Sequence, residues 1–68
     1  MDNEELVRNW QSEINLECER RLGRKLKHRE EKFIYSRGSF MALEIIEDTI
    51  KSKKGKELED YLNSGNEN

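Results

Sequence analysis

Cys18 and His28 are each the sole residue of their type in this 68-residue chain, and they are its natural candidates for nucleophilic or acid–base work. Cys18 falls on an apolar stripe, where a cysteine serves as a small buried hydrophobe. A reactive thiolate would need exposure and a neighbouring cation, and Arg20 and Arg21 lie off that stripe. His28 falls in or beside a turn, a place for capping rather than general-base chemistry. One cysteine and one histidine cannot make a structural zinc site. Glu44 and Asp48, spaced i,i+4, have the geometry to share a cation, but no further ligands converge on them. No glycine-rich loop is present to cradle a phosphate. The expectation is a protein that is not an enzyme, with no catalytic, cofactor-binding or metal-binding residue assigned.

Cations offer a second kind of chemistry. Arg20, Arg21, Arg24, Lys25, Lys27 and Arg29 crowd into positions 20–29 with no acid among them. Such a run can contact phosphates or an acidic partner, with steep salt dependence as its signature. The same charges also suit a helix C-terminus and the solvent around a turn. They can equally balance the acidic start of the chain, which carries Asp2, Glu4, Glu5, Glu13, Glu17 and Glu19. A net charge of −2 does not favour nucleic acid. Lys51, Lys53, Lys54 and Lys56 run straight into Glu57, Glu59 and Asp60, as at a solvated helix end. No bulky apolar anchors stand beside these lysines for a membrane-surface role. A helix-turn-helix is conceivable with its turn at residues 36–39. Its second helix would present Glu44, Glu47 and Asp48 to the phosphates, which argues against it.

The elements that position these groups are helical. Proline is absent, there are 4 glycines, and 41 % of the residues are charged, a profile of helix formers. Asp2 with Glu5 reads as a capping box, with Met1 and Leu6 as its hydrophobic staple. From there Leu6, Trp10, Ile14, Cys18 and Leu22 repeat at i+4 along one narrow face, with Leu16 left outside it. Gly23 stops this first helix, predicted over about residues 3–22. Residues 23–29 form the turn, with Leu26 tucked inward. Glu30 and Glu31 then start a second helix over about residues 30–53, favoured there by the macrodipole. Ile34, Met41 and Ile45 keep one phase across Gly38, which favours a continuous helix; the alternative breaks it at Ser36 and restarts with Ser39 as N-cap. A short turn follows at 57–62, within a single domain spanning 1–62, and residues 63–68 are predicted as a disordered tail.

Read as one helix, Phe33 to Ile50 carries apolar residues over roughly twice the ~100° stripe that covers one core. A chain this short is close to the limit for a self-sufficient core, and neither a disulfide nor a metal is available to supplement it. Oligomerisation remains. The predicted fold is therefore all-α: an antiparallel two-helix hairpin pairing as a homodimeric four-helix bundle. Its hairpin core would be Leu6, Trp10, Ile14, Cys18, Leu22, Leu43, Ile46 and Ile50, and its self-association seam Ile34, Gly38, Met41 and Ile45. The function expected of it is that of a protein–protein interaction module: a regulator, adaptor or inhibitor of a larger, unidentified protein. Its character resembles small bacterial or phage-type regulators by analogy of type alone. The alternative is an accessory nucleic-acid binder using the basic turn 20–29 as a phosphate clamp. No apolar run is long enough for a membrane span, and the acidic start is unlike a secretory signal, so a cytoplasmic location is expected.

Overall fold

The computed structural model describes residues 3–64, and all regular structure within them is helical. Four helices follow in order: α1 (Asn3–Leu22), α2 (His28–Tyr35), α3 (Phe40–Lys51) and α4 (Lys56–Ser64). The capping box and staple predicted at Met1 and Asp2 lie outside the described residues, as do positions 65–68 of the predicted tail.

α1 is the longest helix and the one on which α2, α3 and α4 all pack. Glu4 and Glu5 in its first turn and Arg20 and Arg21 in its last both suit the macrodipole. It ends at Gly23, whose φ of 75° lets its N–H donate to the Glu19 carbonyl at 2.8 Å. The turn that follows is tied back to α1, because the Leu26 N–H donates to Glu19 Oε2 at 3.1 Å.

The predicted second helix is two helices. Ser36 closes α2 by donating its hydroxyl to the Phe33 carbonyl at 3.0 Å, and the Ser36 N–H donates to Lys32. Ser39 then opens α3, its Oγ accepting from the Ala42 N–H at 3.1 Å. A continuous helix would forgo that cap, worth about 1 kcal/mol, and carry Gly38 in its interior at a cost of about 1 kcal/mol. The carbonyls freed by the break find a donor in Gln11 Nε2, which reaches both Tyr35 and Arg37 from α1. Gln11 is buried, and its amide satisfies backbone carbonyls that no helix bond reaches at the break.

The break also changes the topology. α2 runs antiparallel to α1, from the Glu19 end up to Gln11. The chain then reverses, so that α3 runs along α1 in the same sense: Trp10 meets Phe40 and Glu47, and Arg21 meets the Lys51 carbonyl. The antiparallel hairpin thus holds for α2 and fails for α3. α4 lies antiparallel to α2, pairing Tyr61 with Phe33 and Asn63 with Glu30.

The core comprises Ile14, Cys18, Leu26, Phe33, Ile34, Leu43, Ile46, Ile50, Leu58 and Leu62, with Val7, Trp10, Leu22 and Tyr61 packed against it. Five predicted core residues, Ile14, Cys18, Leu43, Ile46 and Ile50, lie inside it, with Trp10 and Leu22 at its edge. Leu6 does not belong to it: it is 45 % exposed, and the neighbouring Val7 takes the contact with the core at this end of α1. Ile34, expected in the self-association seam, is fully buried, because the break lets α2 turn its own narrow face inward. The final turn expected at 57–62 is a helix whose Leu58 and Leu62 are completely buried, and Asn63 and Ser64 belong to it rather than to a tail.

Candidate functional site

The groups with intrinsic reactivity are withdrawn or dispersed. Cys18 is fully buried, and burial, reinforced by the Glu17 carboxylate, pushes its thiol up to about 12. It is a core side chain, not a nucleophile. His28 is exposed as the first residue of α2. Glu44 and Asp48 project into solvent from α3. Among the described residues, no three His, Cys, Asp or Glu side chains gather as metal ligands would. Nor is any helix there long and apolar enough to cross a membrane.

Half of the basic run is paired within the chain, Arg20 only at the surface. Glu17 holds Arg20 and Arg21, each at 2.7 Å, and Arg21 also donates to the Lys51 carbonyl at 3.3 Å. Arg24 lays its guanidinium fork on buried Glu30 with two bonds of 3.0 Å and reaches Glu59 at 3.5 Å. Lys25, Lys27 and Arg29 remain exposed around the turn.

Glu30 is a group that sequence reasoning placed only as a helix-start acid. It is fully buried, yet its carboxylate also accepts from the Lys27 N–H at 2.8 Å and Asn63 Nδ2 at 2.9 Å. The Arg24 fork, with these two further donors, outweighs desolvation and holds its carboxyl down at about 2. The knot joins the α1–α2 turn, the start of α2 and the end of α4. It is structural: each carboxylate oxygen already accepts two hydrogen bonds. Gln11 was also missed, although its place on the line Val7, Gln11, Ile14, Cys18 marks it as a polar residue on an inner face.

What the fold leaves open is apolar surface. Of the predicted seam, Gly38 lies exposed in the α2–α3 turn, while Met41 and Ile45 stand 73 % and 58 % exposed on the side of α3 away from the core. Exposed Glu44 and Asp48 line one edge of that surface. Between α1 and α3 runs a groove of about 590 Å³, with Ile14 and Ile50 at its floor and Leu16 on the α1 wall. Glu13, Glu17 and Glu47 line it, with Arg20, Arg21 and Lys51 toward the C-terminal ends of both helices. Comparison with family models, curated proteins and solved structures gives no match for this chain.

The Trp10 indole ties α1 to α3. Its Nε1 donates to Glu47 at 3.3 Å, and its ring lies 5.8 Å from that of half-exposed Phe40. Trp10, half-buried against the core, therefore reports on α3 through Phe40 and Glu47.

Proposed function

We propose that this chain is a small non-enzymatic protein–protein interaction module that works as a homodimer and regulates, adapts or inhibits a larger protein. The observation that carries this reading is the outer face of α3. Leu43, Ile46 and Ile50 already supply that helix's share of the core, yet Met41 and Ile45 stand in solvent beside them. Contiguous apolar surface of this kind is where partners dock. Glu44 and Asp48 along one edge of it favour a target segment that is basic as well as amphipathic, laid against α3 as helix on helix. The self-paired assembly is supported by size: a chain of 8.2 kDa without disulfide or metal gains most by burying surface against a copy. A cytoplasmic regulator of bacterial or phage type remains an analogy of type.

Trp10 fluorescence gives the test. A basic amphipathic helical peptide titrated into the protein is expected to perturb it, and Ile45→Glu to abolish the response while helicity is kept. An acidic peptide of the same apolar pattern is expected to leave it unchanged. Binding of a short DNA duplex, lost with salt and with Lys25, Lys27 and Arg29 changed to alanine, would instead establish the phosphate-clamp reading.

A further inference from the structure

The outer face of α3 and the α1/α3 groove are both open, but they differ in how they would meet their own copies. On the outer face, Met41 and Ile45 share the exposed surface with Glu44 and Asp48 along one edge. A twofold through that face would set carboxylates against carboxylates, which is unfavourable. The groove has the opposite property. Because α1 and α3 run in the same sense, both of its walls pass from acid to base in one direction. On the α1 wall Glu13 and Glu17 precede Arg20 and Arg21, and on the α3 wall Glu47 precedes Lys51. Glu17 is already paired with both arginines, which leaves Glu13 as the unpaired acid of the α1 wall among the described residues. A twofold perpendicular to the groove reverses one copy and lays each acidic end on the other's basic end.

Leu16 stands midway along the α1 wall, 58 % exposed beside buried Ile14 and Ile50. Glu13 and Arg20 flank it almost symmetrically in sequence. We propose that the α1/α3 groove is the contact between two copies of this chain, Leu16 of each entering the groove of the other and Glu13 facing Arg20 of the other copy. The proposal rests on the self-association put forward above and names its surface, leaving the outer face of α3 to the target. Arg20 is free to re-pair at little cost. Its side chain is 76 % exposed, and its bond to Glu17 is a weak i,i+3 surface pair.

The test is the solution mass of the full chain by sedimentation across a dilution series, with helicity recorded at each concentration. The unaltered protein is expected to be a dimer. Leu16→Glu should weaken self-association at least tenfold with helicity retained, since Leu16 is exposed in the monomer. Ile45→Glu should leave it unchanged. Glu13→Arg and Arg20→Glu should each weaken the dimer, and both in one chain should restore it. Equal dimerisation by Leu16→Glu and the unaltered protein would overturn the groove assignment, as would a double variant no stronger than the singles. Dissociation by Ile45→Glu alone would keep the dimer and move its contact to α3. A monomer at every concentration would overturn self-association itself.

Discussion

The two sides of α1 are finished by opposite means. On the side where α2 and α4 pack, a buried carboxylate gathers donors from three places along the chain, and Arg24 bridges from Glu30 to Glu59. On the side where α3 packs, the contact is mainly apolar, with a Trp10–Glu47 bond and an Arg21–Lys51 bond at its edge. The difference teaches what each kind of contact is good for. Hydrogen bonds to a buried charge admit one arrangement, because any shift strands a donor or the carboxylate. They fix how α4 sits on α2, and both helices are too short to do so by length alone. Apolar contact is less demanding of position, and the α3 side leaves Leu16, Phe40, Met41 and Ile45 in solvent.

Glu30→Ala strikes the first side hardest. It strands the Arg24 fork, the Lys27 N–H and Asn63, so urea denaturation should show a loss of about 4 kcal/mol. A loss under about 1 kcal/mol would mean the knot is ornamental. Acid should act on the same point more gradually. The folded-state pKa of Glu30 lies below its usual carboxylate value, so its stabilisation is full above about pH 5 and is lost as the pH falls through about 2. That loss should approach about 3 kcal/mol. A Glu30→Gln variant with the same acid sensitivity as the unaltered protein would assign the effect elsewhere.

Leu43→Ala probes the other side and should cost about 3 kcal/mol through the cavity it leaves. It should also loosen Trp10 before it loosens Tyr61, as read by Trp10 fluorescence and by Tyr61 fluorescence in a Tyr35→Phe background. If both report one transition, the two sides fold as a single unit and the contrast is one of composition only. Ser39→Ala is the gentlest probe. It removes the α3 cap and should cost about 1 kcal/mol, seen as a small drop in melting temperature. No change would mean that the Gln11 clamp alone keeps the helices apart.

Much of this architecture was legible in the residues. α1 and its Gly23 stop, the inward Leu26, and the apolar positions of the core on Ile14, Cys18, Leu43, Ile46 and Ile50 follow from period and turn chemistry. The break at 36–39 was visible as an alternative and lost to the in-phase trio Ile34, Met41 and Ile45. That phase was a coincidence of projection, since Ile34 faces the core while Met41 and Ile45 face away from it. Placing two helices on one wheel also made the apolar face look broader than either helix presents. The donor that settles the break, Gln11, sits more than a helix away in sequence, and local patterns carry no such information. Glu30 was equally hidden: an acid at a helix start looks the same whether it faces water or an arginine fork. Of the open surface, Leu16, Met41 and Ile45 were picked out as outward-facing from spacing alone. The groove was not, because it exists only once α3 is known to run alongside α1 in the same sense.

The solitary thiol gives this fold a clock. Cys18 sits with no exposure in the helix that every other helix leans on, so fraying at the ends of α3 or α4 leaves it covered. Alkylation must therefore wait for a cooperative opening, and its rate is the intrinsic thiol rate scaled by the fraction of molecules open at that instant. For a domain stable by about 5 kcal/mol the slowing is on the order of several thousandfold. Timed labelling of one atom, followed by mass measurement, then yields the opening equilibrium of the whole domain without denaturant and in mixtures with other proteins.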